Sequence, residues 1–200
     1  MSASPGELER SLAAALALDV PYTERGPRVG GTEAAVLLVF GFARGSAEPS
    51  LLLTRRTETM ERHKGQMAFP GGVRDPGDAD PVATALRESR EEVGIPPERV
   101  RVVGRLPELR TVTGYSIAPI VGLLDRDLED VPLEPSEGEI AEAFWVSLGV
   151  LRDPATYSRE LLRVGPVDYP IHVYRVNGHR VWGATGAMIK NLLDRLAALR

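Results

Sequence analysis

Near the middle of the chain, one segment has a definite start and a definite stop. Asp80-Pro81 offers an acidic residue to cap the first free N–H groups of a helix, followed by a proline where its missing N–H costs nothing. Gly94, followed by Ile95 and two prolines, supplies a left-handed stop. Ala85, Leu86, Ser89 and Val93 give the intervening residues a largely apolar face, so the spacing predicts a helix over Pro81–Val93. Its other face carries Glu88, Glu91 and Glu92 at i, i+3 and i+4. Like charges at that spacing destabilise an isolated helix by roughly 0.2–0.5 kcal/mol per pair, and the helix C-terminus disfavours anions. Arg87 can pair with Glu91, and Arg90 relieves part of the rest. A solvated charged face explains the carboxylates alone. A bound divalent cation also explains the glycine turn at Gly71-Gly72 just upstream and the clustering against the helix dipole, because oxygen-rich sites suit Mg²⁺ or Mn²⁺.

The rest of the chain is built mostly of strands. Continuous apolar runs at Glu33–Phe42 and Ser50–Thr54 predict two strands joined by a hairpin loop over Arg44–Pro49. Gln66–Phe69, Val100–Leu106, Ile117–Leu124 and Ile140–Val146 predict four more. Tyr169–Val176 and His179–Trp182 flank Asn177-Gly178, the strongest short hairpin signal. Amphipathic helices are expected at Glu7–Leu18 and Gly186–Leu199, with Pro21–Gly31 as a linker. The expected fold class is α+β, with one mixed sheet system and packed helices in a sandwich-like layering. The expected organisation is a helix and linker over residues 1–30 and a single domain over 31–200.

Composition removes several function classes. A 200-residue chain with 43% hydrophobic residues can bury one sizeable core. It has no cysteine, which excludes disulfide scaffolds, thiolate metal sites and cysteine nucleophiles. The net charge of −4 argues against nucleic-acid binding through bulk positive charge. No apolar run reaches the length of a membrane span, and the first residues lack the order of a signal peptide, so the expected location is the cytoplasm. Arg55, Arg56, Arg62, His63 and Lys64 form the one dense basic cluster, read either as plain surface charge or as a cradle for phosphates. His172, His179, Trp145 and Trp182 are expected to be structural.

The run Arg87-Glu88-x-x-Glu91-Glu92-x-Gly94-Ile95, with Gly72 upstream, resembles the Nudix box of the Nudix hydrolases. The wider context resembles the coenzyme A pyrophosphatase branch of that family. It comprises Leu52-Leu53-Thr54-Arg55-Arg56, then Arg62 to Gly72, Thr84 to Glu88 and Gly178 to Thr185. Two features depart from the usual box. Asp78 stands where a glutamate is usual, with one extra residue before Arg87, and Ser89 holds a normally apolar position. Asp75, Asp78 and Asp80 are read as turn and capping residues.

The resemblance implies an α/β/α sandwich-like Nudix fold and metal-dependent cleavage of coenzyme A or acyl-CoA into 3′,5′-ADP and (acyl-)4′-phosphopantetheine. The alternatives are a Nudix pyrophosphatase for ADP-ribose, NADH or a diadenosine polyphosphate, or a non-catalytic nucleotide-binding module. By the same resemblance Glu88, Glu91 and Glu92, with a carbonyl near Gly71, hold Mg²⁺ or Mn²⁺, and Glu88 either ligates or takes the attacking water's proton. Arg87 orients a glutamate, Gly71 and Gly72 allow a tight turn, and Arg55, Arg56, Arg62, His63 and Lys64 face the substrate. Glu139 is either a fourth carboxylate of the site or part of an acidic solvated turn. The expected partners are a small nucleotide-like substrate, neither nucleic acid nor membrane, and at most a second copy of the chain.

Overall fold

A computed structural model of the chain describes residues 4–18, 31–59, 64–111, 113–165 and 167–199. The elements, in chain order, are α1 (Pro5–Ala17), β1 (Thr32–Phe42), β2 (Pro49–Arg56), β3 (Met67–Ala68), β4 (Gly71–Val73), α2 (Pro81–Val93), β5 (Val100–Arg105), β6 (Leu109–Arg110), β7 (Tyr115–Leu124), β8 (Ile140–Ser147), α3 (Leu148–Arg152), β9 (Tyr157–Val164), β10 (Val167–Val176), β11 (His179–Val181) and α4 (Gly183–Ala197). The main sheet runs β3-β2-β1-β7-β5, with β4 added to β1, β6 to β7 and β8 to β2. β1 and β7 are parallel and the other pairings antiparallel, so the sheet is mixed. A second sheet, β11-β10-β9, stands apart from it.

β1 reads as an unbroken apolar run because both of its faces are covered. Leu38, Phe40 and Phe42 point into one core with Leu8, Leu12 and Ala15 of α1, Met188 and Leu192 of α4, and Tyr174 and Val181 of the small sheet. Ala35, Leu37 and Val39 point the other way, against Ala85 and Val93 of α2. Helices therefore cover both sides of the mixed sheet, and the fold is the expected α+β layering. α1 is bound into the same core: Arg195 of α4, buried, donates to the carbonyls of Ala15 and Leu18 where α1 ends.

Several expectations need correction. Gly71-Gly72, expected as a turn, continues into strand β4, which pairs with Ala34–Val36 of β1. A Cβ at Gly71 would collide with the carbonyl oxygen of Ala35, so only glycine lets β4 lie this close. β9 and the short helix α3 have no counterpart among the expected elements. The expected linker falls, except for Gly31, outside the described residues.

Candidate active site

α2 begins and ends as its sequence requires. The Asp80 carboxylate accepts the N–H of Ala83 at 2.9 Å, Pro81 follows, and Gly94 closes the helix at φ 75°. The last carbonyls of α2 are met by a loop, with Glu134 N–H donating to Val93 and Ser136 N–H to Glu92, each at 2.9 Å. That loop is tied in turn to the end of β2, where Thr57 N–H donates to the Glu139 carbonyl at 2.8 Å. The end of β2, the C-terminal half of α2 and the loop carrying Glu139 thus converge on one corner.

The three helix glutamates share a face but not an environment. The Glu92 side chain is only 3% exposed, whereas Glu91 is 58% exposed and Glu88 lies between at 16%. Glu92 Oε2 accepts the Gly71 N–H at 3.1 Å and Oε1 accepts Nη1 of Arg56 at 3.1 Å. Burial pushes the Glu92 carboxyl up to about 7, against the lowering effect of Gly71 and Arg56; the charges of Glu88 and Glu139 push the same way as burial. Glu88 is raised too, first by burial and then by Glu91 and Glu139, with Arg87 opposing. Glu139, itself exposed, is therefore close enough to act on both. The Glu88 carboxylate also occupies the space a Cβ on Gly72 would take.

Arg87 is anchored more firmly than the sequence suggests. Its Nε and Nη2 grip both oxygens of Asp78 at 3.1 and 3.0 Å, and Nη2 also donates to the Val73 carbonyl. Nη1 then reaches Glu88 and Glu91, each at 2.9 Å. Asp78, expected as a turn residue, does accept the Asp75 N–H. Its buried carboxylate is also the clamp on Arg87, which holds its ionisation far below the usual carboxylate range. No spacing rule links the two residues, since the contact depends on how the loop before α2 folds back. Asp80 alone is the helix cap.

Among the described residues of the basic cluster, Arg55 and Arg56 do not face the same way. Leu51 and Leu53 of β2 face the α1/α4 side of the sheet, and Arg55 follows them there, 3.3 Å from Glu142 of β8. His179, stacked on Phe144, meets the same Glu142 oxygen at 3.1 Å. Arg56 points to the opposite face and Glu92. Lys64 is exposed in the turn before β3, and Arg62 and His63 lie outside the described residues. His172 accepts or donates a 2.8 Å bond with the Tyr157 hydroxyl.

Among the described residues, no three acidic or histidine side chains converge closely enough to form a ready-made ligand group. Each helix glutamate is turned toward an arginine instead. Glu92, buried, and Glu88 lie beside the Gly71-Gly72 backbone, and hard carboxylate oxygens of this kind suit a divalent cation. A cavity of about 440 Å³, lined by Glu33, Arg74, Glu108 and Arg110, opens beside the first turn of α2, at the other end of the helix from Glu92.

The NUDIX domain model matches residues 32–163, which include every element of this corner. The chain belongs to the Nudix family. Nudix hydrolases act on pyrophosphate-type bonds of small nucleotide derivatives and generally use divalent cations. The chain is 41% identical over 156 residues to Nudix hydrolase NudL of Cronobacter sakazakii, a relative named as uncharacterised, covering 72% of this chain and 74% of that one. NudL of Photorhabdus laumondii is 41% identical over 150 residues, covering 74% and 78%. Among solved structures, RenU, a Nudix hydrolase of M. smegmatis, shares the fold with a TM-score of 0.55 at 22% identity, over 86% of this chain and 89% of that one. No helix among the described residues is long and apolar enough to cross a membrane.

Proposed function

We propose that this Nudix protein hydrolyses the pyrophosphate bond of coenzyme A or acyl-CoA, giving 3′,5′-ADP and (acyl-)4′-phosphopantetheine. The observation that carries the hydrolytic reading is Glu92, a buried carboxylate held between the Gly71 N–H and the Arg56 guanidinium, with Glu88 and Glu139 adding negative charge beside it. The coenzyme A assignment rests on the resemblance of the segments Leu52–Arg56, Arg62–Gly72 and Gly178–Thr185 to that branch.

Glu88 and Glu92 are the residues that would hold Mg²⁺ or Mn²⁺, with Glu139 and the Gly71 carbonyl at the edge of the site and Glu91 on its solvent side. When bound, the cation neutralises the pyrophosphate oxygens and favours attack by water. Arg87, locked by Asp78, keeps Glu88 and Glu91 in place. In the alternative role, Glu88 is the base instead of a ligand: its carboxylate takes one proton of the attacking water as the new P–O bond forms and the bridging P–O bond breaks, the leaving phosphate keeping the bond's electron pair. Arg56, bonded to Glu92, would meet a pyrophosphate brought to the glutamates, and Arg62, His63 and Lys64 follow it closely in the sequence.

The test is chromatography of coenzyme A incubated with the pure protein and Mg²⁺. Appearance of 3′,5′-ADP and 4′-phosphopantetheine, lost in Glu92→Gln, is the expected result. Cleavage of ADP-ribose, NADH or a diadenosine polyphosphate with coenzyme A left intact overturns the substrate, and no turnover of any of them overturns the hydrolase reading.

A further inference from the structure

Glu139 is the carboxylate of the acidic corner that does not stand on α2, and it is held differently from the others. Glu88 and Glu91 lean on Arg87, and Glu92 on Gly71 and Arg56. Among the described residues the Glu139 carboxylate makes no hydrogen bond or ion pair. Its charge nonetheless reaches both Glu88 and Glu92. An exposed side chain without a partner keeps its place only as far as the main chain beneath it does.

That main chain is pinned on both sides. Before Glu139, the loop hangs on the end of α2 through the N–H groups of Glu134 and Ser136. After it, β8 opens with a bulge: Ile140 pairs with Arg56 and Glu142 with Arg55, leaving Ala141 as an extra residue. Such a bulge bends a strand and re-aims the side chains beside it. Between these points the shortest tie is made by Thr57. Its N–H donates to the Glu139 carbonyl at 2.8 Å, and its hydroxyl donates to the Gly138 carbonyl at 2.7 Å. The Thr59 hydroxyl reaches the Gly138 carbonyl only at 3.4 Å and meets the Thr57 hydroxyl at 2.9 Å. The anchor is itself fixed, because the Thr57 carbonyl accepts the Gly65 N–H and the preceding Arg56 N–H donates to the Gln66 carbonyl.

We propose that Thr57 is a positioning residue for the acidic site: its hydroxyl, by holding the Gly138 carbonyl, keeps the Glu139 carboxylate beside Glu88 and Glu92. The inference rests on the glutamates being a cation site, and it adds that Glu139 serves that site only while the Thr57 bond is made. The hydroxyl is the working part of the side chain, so serine replaces threonine and valine does not.

The experiment reads Mn²⁺ affinity from the free-ion electron paramagnetic resonance signal at pH 8.5, without reference to turnover. Thr57→Val keeps the β-branch and the backbone N–H but removes the hydroxyl, and it should bind Mn²⁺ about tenfold more weakly, as should Glu139→Gln. Thr57→Ser keeps the hydroxyl and should stay within about twofold of wild type. Combining Thr57→Val with Glu139→Gln should add nothing, leaving the affinity within about twofold of Glu139→Gln alone. A further loss of the same size in the double variant shows Thr57 acting on something other than Glu139 and overturns the inference. Wild-type affinity in Thr57→Val beside a weakened Glu139→Gln overturns it too, as does Thr57→Ser binding as weakly as Thr57→Val; all three leave the cation site standing. Undiminished binding by Glu139→Gln removes Glu139 from the site and the inference with it, and no uptake by the wild type overturns the cation site itself. If Thr57→Val does not fold, wild-type crystals grown with Mn²⁺ decide. The Glu139 carboxylate directed at the ion with the Thr57–Gly138 bond intact supports the inference, and that bond broken or Glu139 turned away refutes it.

Discussion

Replacing Glu92 with glutamine should make the metal-free protein more stable, although it should destroy the site. In the unfolded chain a glutamate ionises near 4.5, whereas in the fold Glu92 keeps its proton up to about 7. Between those values the folded state binds the extra proton, so stability falls as pH rises, and above about pH 7 the whole cost is present. That displacement corresponds to about 3 kcal/mol, with little discount for solvent because the side chain is almost fully buried. The glutamine keeps the shape, and its amide oxygen still accepts the Gly71 N–H. Only the charge and the pairing with Arg56 are lost. Melting both proteins in EDTA, followed by circular dichroism, reads the difference directly. At pH 8 the variant should melt roughly 6–12 °C above wild type for a chain of this size. Below about pH 4, where Glu92 is neutral in the folded state and mostly neutral in the unfolded chain, the gap should close. Adding Mg²⁺ or Mn²⁺ should raise the melting temperature of the wild type alone. A variant less stable than wild type at pH 8, or a gap that ignores pH, refutes the reasoning.

Two further substitutions probe how the glutamates are held. Asp78→Asn loosens the clamp on Arg87 and should lower kcat by about tenfold or more with little change in KM. Because Arg87 depresses the Asp78 ionisation, its contribution to stability is full above the ordinary aspartate pKa and fades as pH falls toward the depressed value, so the wild type's advantage over Asp78→Asn in urea melts should shrink on acidification. Gly72→Ala puts a methyl group where the Glu88 carboxylate lies, so Mn²⁺ affinity and turnover should each drop by about a hundredfold while circular dichroism stays near that of wild type.

Elements marked by local backbone chemistry are legible in the sequence. Asp80-Pro81 and Gly94 delimit α2 to the residue, and Asn177-Gly178, both at positive φ, turn β10 into β11. β4 is hidden because two glycines carry no strand preference, and pairing with β1 alone makes them a strand. β9 is hidden for a related reason. Its Arg159, Glu160 and Arg163 break any apolar run, and it exists through its ladder with β10. In the site, helical periodicity puts three glutamates on one face but cannot rank their burial, which depends on the β4 backbone and the Glu139 loop. Adjacency in sequence groups Arg55 with Arg56, whereas strand alternation sends them to opposite faces. The Asp78–Arg87 clamp and the meeting of Arg55 and His179 on Glu142 are tertiary contacts that no local pattern encodes.

The central claim is that Glu92 and Glu88 hold a divalent cation beside the Gly71-Gly72 backbone. Crystals grown with Mn²⁺ and measured at the manganese absorption edge test it most directly, because the anomalous signal marks the ion without reference to activity. The account predicts a single strong peak or a close pair beside the Glu88 and Glu92 carboxylates, absent from Glu92→Gln crystals grown the same way. Manganese located elsewhere, or a peak that persists unchanged in Glu92→Gln, contradicts it.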